Sequence, residues 1–130
     1  MEKTAASKGR ILVVEDEVGI TRVCLRTLVP QGYEVEVATN GSIAEGMLRN
    51  TEYDLVLVDI RTPVMNGMQL NEYITGNHPK LVKRVIFTTG DVISGDTQYF
   101  LEKSGQPVLA KPFTPEELLS IVREALERLL

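Results

Sequence analysis

Leu55-Val56-Leu57-Val58-Asp59 is the stretch whose reading decides the fold. Four apolar residues in succession, rich in β-branching, read as a short strand covered on both faces, the habit of a parallel sheet. The same signature recurs upstream at Ile11-Leu12-Val13-Val14 and downstream at Val85-Ile86-Phe87 and Val108-Leu109-Ala110. Val35 and Val37 alternate with acids, so the strand there, second in chain order, is half exposed.

Helical patterns lie between these runs. Ile20, Val23, Cys24, Thr27 and Leu28 share one helical face, and Ile43, Ala44, Met47 and Leu48 another. Leu70, Tyr73 and Ile74 mark a third helix that His78-Pro79 should end. Phe100 and Leu101 anchor a short fourth helix, stopped by Gly105. In the last, Thr114-Pro115-Glu116-Glu117 reads as a capping box with proline at the first helical position, followed by Leu118, Ile121, Val122, Ala125 and Leu129 at helical spacing. Five β-α units in this order predict a three-layer α/β/α fold: a flavodoxin-like, doubly wound, five-stranded parallel sheet of order 2-1-3-4-5 with five helices. That order makes the fifth strand an edge, where Pro107 at its start is tolerated.

A chain of 130 residues accommodates one such domain, assigned to residues 9–130, behind a loose polar tail at 1–8. The net charge of −4 disfavours bulk attraction to nucleic acid or to an anionic membrane. Cys24 is the only cysteine, which excludes an internal disulfide, and its neighbours Val23, Leu25 and Leu28 mark it as a small buried hydrophobe. No apolar run approaches membrane-spanning length and the N-terminus lacks a signal-like stretch, so a reducing, cytoplasmic setting is expected.

Ligands of such folds bind at the carboxyl ends of the strands. Glu15 and Asp16 follow the first run, Asp59 the third, Thr89 the fourth and Lys111 the fifth. Singly, each has a plainer reading: acids after a strand are often solvated turn residues, Thr89 a helix cap, Lys111 a surface lysine. Their joint placement on one rim points to a site. Close carboxylates repel unless a cation sits among them. With only oxygen donors and no His or Cys nearby, Mg²⁺ suits the set before Ca²⁺ or Zn²⁺.

The pattern resembles the receiver domain of two-component response regulators. Val13-Val14-Glu15-Asp16-Glu17 is similar to the family's acidic pair. Asp59-Ile60-Arg61-Thr62-Pro63-Val64-Met65-Asn66-Gly67 is similar to its phosphoacceptor segment, Phe87-Thr88-Thr89-Gly90 to its hydroxyl position, and Lys111-Pro112-Phe113 to its Lys-Pro-Phe signature. Thr89 follows Asp59 by 30 residues and Lys111 follows it by 52, spacings that also fit. The resemblance covers about Gly9 to Leu130, and Gly90 to Phe113 further resembles receivers attached to hybrid sensor kinases.

The resemblance implies a phosphoacceptor signalling domain and not an enzyme in its own right. It implies a histidine kinase or histidine phosphotransfer protein as donor, with a downstream effector or attached kinase domain as further partner and no direct contact with nucleic acid or membrane. Asp59 would take the phosphoryl group. Mg²⁺ would be held by Glu15 or Asp16, by Asp59 and by the backbone carbonyl of Arg61, and Lys111 and Thr89 would bind the remaining phosphoryl oxygens. The Lys111-Pro112 bond is a candidate cis peptide. Val108 departs from the family's aromatic switch position, so the fourth helix and its preceding loop, Asp91 to Asp96, are expected to carry the signal. Arg61 and Asp91 are expected to pair across the site mouth.

Rival readings fare worse. A flavodoxin-like cofactor carrier needs a phosphate-cradling loop where Glu15-Asp16-Glu17 would repel an anion. An aspartyl phosphohydrolase would carry a second Asp where Arg61 stands. The only histidine, His78, precedes Pro79 and reads as a helix-end residue, not a phosphorylated one. A phosphorylation-independent interaction module on the same fold is the alternative that Val108 leaves open.

Overall fold

The computed structural model describes residues 7–90 and 94–127. Among them five strands alternate with five α-helices: β1 (Gly9–Val14), α1 (Val18–Leu28), β2 (Tyr33–Ala38), α2 (Gly41–Asn50), β3 (Leu55–Asp59), α3 (Gly67–Asn77), β4 (Val85–Thr89), α4 (Gly95–Ser104), β5 (Val108–Ala110) and α5 (Pro115–Glu127). The strands form one parallel sheet in the order β2-β1-β3-β4-β5, as expected.

The continuous apolar runs have a direct explanation. Leu12, Val14, Val56, Val58, Val85 and Phe87 pack on one side against Ala44, Leu48, Leu70, Ile74 and Leu101 of α2, α3 and α4. The alternate residues Ile11, Val13, Leu55, Leu57, Ile86 and Leu109 pack on the other against Cys24, Leu28, Leu118, Val122 and Ala125 of α1 and α5. Each Val, Leu, Ile or Phe among them contributes roughly 1.5–3 kcal/mol by leaving water. β2, at one edge, keeps only its end residues Tyr33 and Ala38 buried.

Local signals end the helices where expected. Glu117 N donates to Thr114 Oγ1 at 3.0 Å and Thr114 N donates to Glu117 Oε1 at 2.8 Å, completing the capping box of α5. α3 carries a second box, Asn66 with Gln69. α4 closes on Gly105, whose φ of 68° is the left-handed conformation that favours glycine. α3 stops at His78, and its ring Nε2 lies 3.1 Å from the Tyr73 hydroxyl, a local packing contact. Burial pushes the Cys24 thiol up to about 12, which suits an inert core residue.

At the N-terminus, Ser7 Oγ donates to Glu34 Oε2 at 2.8 Å and Lys8 N to Gly32 O at 2.9 Å, so the chain is fastened from Ser7 onward; the rest of the expected tail, residues 1–6, lies outside the described residues. No helix among the described residues is long and apolar enough to cross a membrane.

Candidate functional site

The turn after β3 is built around Asp59. Its main-chain oxygen accepts from Thr62 N at 3.0 Å, and its side-chain Oδ1 accepts from Arg61 N at 3.0 Å. Ile60 O then accepts from Gly67 N at 3.1 Å, pressing the start of α3 against the strand end. A Cβ on Gly67 would sit 2.8 Å from Ile60 Cα and 3.2 Å from Asp59 O, so only glycine allows this approach. The first residue of α2 abuts the same loop: a Cβ on Gly41 would lie 1.9 Å from Met65 O.

Between these anchors Val64 adopts φ 69°, and the residue is 80% exposed. A β-branched residue in that region costs about 1–2 kcal/mol, and an exposed side chain recovers little of it. Val64→Asn, which tolerates the conformation, is expected to raise stability by about 1 kcal/mol. The shift of the urea midpoint at unchanged slope measures this. A lower midpoint would mean that the valine side chain has contacts outweighing its backbone strain.

Glu15 follows β1 and is 2% exposed. Its Oε2 accepts from Glu17 N at 3.1 Å. Burial pushes its carboxyl above the ordinary range and the charge of Asp59 adds to this, against the lowering effect of Lys111 and of the Glu17 amide.

Lys111 enters from β5 through a cis Lys111-Pro112 bond, with its main-chain N donating to Thr89 O at 2.8 Å. Its Nζ lies 2.9 Å from Glu15 Oε1, 3.1 Å from Glu17 Oε1 and 3.2 Å from Asp59 Oδ2. Burial opposes its charge, but the bonds to Glu15 and Glu17 and the fields of Asp59 and Glu15 outweigh burial and hold the ammonium above the ordinary lysine range. Thr89, 4% exposed, ends β4 one residue beyond Thr88, the register partner of Asp59.

The fold therefore brings Glu15, Asp59 and Lys111 into contact and ends β4 on Thr89 alongside them. Asp16 is exposed, and the acidic group within 4.8 Å is Glu15, Glu17 and Asp59. Glu17 was not singled out from the sequence as a site residue. The available signal was its place at the start of α1, where a carboxylate would ordinarily be read as a helix cap. Arg61 is exposed and its main-chain N donates to Asp59 Oδ1, whereas Asp91, its expected partner, lies outside the described residues. Val108 is 40% and Tyr99 63% exposed, while Phe100 packs edge-on against Phe87 with ring centroids 5.4 Å apart.

Comparison with known proteins agrees with this geometry. The family model for the response regulator receiver domain matches residues 11–123. A probable transcriptional regulatory protein of Picosynechococcus sp. is 36% identical over 98% of this chain and 53% of its own length. The transcription factor SKN7 of Candida albicans is 34% identical over 92% of this chain and 21% of its own length. The chain thus spans about half or less of these curated relatives. Among solved structures, a CheY-like receiver domain protein from Methanospirillum hungatei superposes with a TM-score of 0.83 at 31% identity, over 92% of this chain and 94% of that one. The receiver domain of a signal transduction histidine kinase from Syntrophus aciditrophicus gives 0.82 at 26% identity, over 92% and 91%. A family model spanning the sheet and the candidate site, with matching relatives and fold, makes the conclusion plain: the chain belongs to the response regulator receiver domain family.

Proposed function

We propose that Asp59 accepts a phosphoryl group from a phosphohistidine on a partner kinase or phosphotransfer protein, in a Mg²⁺-dependent reaction, and that the acyl phosphate shifts a conformational switch. The observation that carries this reading is a carboxylate at the end of β3 contacted at 3.2 Å by the Lys111 ammonium, which also bonds two further carboxylates. An Asp59 oxygen attacks phosphorus, the P–N bond of the donor breaks, and the departing imidazole keeps the electron pair and takes a proton. Lys111 and the Thr89 hydroxyl donate to the oxygens of the transferred group.

The donor set fits a hard dication: Glu15 and Asp59 bring carboxylate oxygens within 4.8 Å of one another and all the candidate ligands are oxygens. Glu15 or Asp16, Asp59 and the Arg61 carbonyl would hold Mg²⁺, which supplies charge neutralisation on the phosphoryl oxygens. The net charge of −4 favours a protein partner over direct contact with nucleic acid. The names of the relatives suggest that DNA regulation, where it follows, belongs to segments beyond this domain.

Labelling by acetyl phosphate tests the reading. The protein should be labelled only with Mg²⁺ present, and Asp16→Ala should lose Mg²⁺ affinity and labelling rate together. Normal labelling of that variant at low Mg²⁺ would remove Asp16 from the ligand set, and metal-independent labelling would remove the metal.

The output is expected to run through α4. Val108 is short and stiff at its first torsion, so it lacks the large inward and outward states an aromatic ring would have. Beryllofluoride, a phosphoryl mimic, should move backbone NMR signals most in residues 90–104 outside the immediate site. Shifts centred on Val108 with a silent α4 would overturn this route.

A further inference from the structure

Lys111 has more acidic partners than the proposed phosphotransfer requires. An ammonium has three N–H donors. In this site Nζ has three carboxylate neighbours, Glu15 at 2.9 Å, Glu17 at 3.1 Å and Asp59 at 3.2 Å, so no donor is left over. Before Lys111 can serve a phosphoryl oxygen on Asp59, one of these contacts must yield.

The three are not equivalent. The Glu15 side chain is 2% exposed and is tied a second time by the Glu17 amide. Asp59 carries the phosphoryl group itself. The Glu17 side chain is 63% exposed, so water can take over its carboxylate at little cost. Its direction is also telling. Glu17 occupies the N-cap of α1, with φ −84° and ψ 116°, yet its side chain makes no capping bond. The carboxylate reaches instead to a lysine 94 residues away.

Resting on the reading of Asp59 as phosphoacceptor, we propose that Glu17 is a positioning residue that holds Lys111 back, competing with the phosphoryl oxygens for one N–H of its ammonium. Phosphorylation then exchanges the Lys111–Glu17 contact for a Lys111–phosphoryl contact and leaves Glu17 to water. Glu17 lowers the gain from phosphorylation and sets how readily the site accepts it.

The test compares Glu17→Gln and Glu17→Asp with wild type by acetyl phosphate labelling, beryllofluoride affinity and Mg²⁺ affinity. Glu17→Gln removes the charge, and Glu17→Asp keeps it but withdraws it from Lys111 by one methylene. An exposed ion pair is worth up to about 1 kcal/mol, so both variants should label about 2- to 5-fold faster and bind beryllofluoride tighter by a similar factor. Mg²⁺ affinity should stay within about twofold. The ammonium signal of Lys111 in ¹⁵N NMR should move in both variants without beryllofluoride and converge on the wild-type position with it, a response that a merely structural role would not give. Slower labelling with weaker Mg²⁺ binding would make Glu17 a metal ligand and overturn the proposal. A Glu17→Asp variant indistinguishable from wild type would assign the effect to charge at the mouth and overturn it as well, as would unchanged rates throughout. Wild-type protein that takes no label at all would overturn the phosphoacceptor reading and this proposal with it, whereas labelled wild type with unresponsive variants overturns this proposal alone.

Discussion

Asp59→Asn is expected to abolish labelling by acetyl phosphate and to leave the fold intact. The amide matches the carboxylate in shape and keeps an oxygen that can accept from Arg61 N or Lys111 Nζ, but it is a poor nucleophile toward phosphorus and forms no acyl phosphate. Loss of one negative charge beside Glu15 and Glu17 also relieves repulsion, so the folded state should hold or gain slightly. Label is followed by mass increase or radioactive incorporation, and folding by circular dichroism and a urea midpoint. Undiminished labelling of Asp59→Asn would sink the assignment. Loss of label with a collapsed midpoint would trace the effect to unfolding.

Phe87→Ala should be the most damaging single truncation near the site, at about 3–5 kcal/mol. Phe87 is 0% exposed in the middle of β4, with strands on both sides of it in the sheet. Its ring also meets that of Phe100 edge-on, with an interplanar angle of 75°. Against a total stability of roughly 5–15 kcal/mol for a domain of this size, such a loss removes a large share. Urea unfolding of the two proteins gives the difference directly. A cost below about 1.5 kcal/mol would show that the neighbouring helix closes over the vacated volume. Because Phe100 belongs to α4, the same contact ties the strand that ends in Thr89 to the helix expected to move. Phe100→Ala and the double variant would therefore show a coupling of roughly 0.5–1.5 kcal/mol.

Most of this architecture was legible in the sequence, for physical reasons that can be traced to residues. Leu55 to Val58 cannot alternate because both faces of β3 are covered, and that run made the parallel sheet readable. Thr114 and Glu117 satisfy one another's main-chain groups locally, so the start of α5 needed no tertiary information. Glu15, Asp59 and Lys111 could be placed because each is the first polar residue after an apolar run, and Thr89 because it lies two residues beyond one. What stayed hidden depends on backbone direction and on contacts between distant segments. Asp16 and Glu17 are chemically alike and adjacent; which of them meets Lys111 is decided by the turn into α1. Val64 shows the reverse of its intrinsic preference, in a loop packed closely against Gly41 at Met65 and against Gly67 at Ile60, contacts that no local pattern announces.

The strand order has one more consequence, for the behaviour of the molecule in a crowded solution. An open sheet has two unpaired rims, here β2 and β5, and each offers main-chain donors and acceptors to any passing chain. Neither is an inviting template. β2 carries Glu34 and Glu36 alternating with Val35 and Val37, so a like strand docking there would bring carboxylates together. β5 is three residues long and follows Pro107, which has no N–H to give. Charge guards one rim, brevity and proline the other, so neither edge needs the sheet to close into a barrel to discourage strand-to-strand pairing.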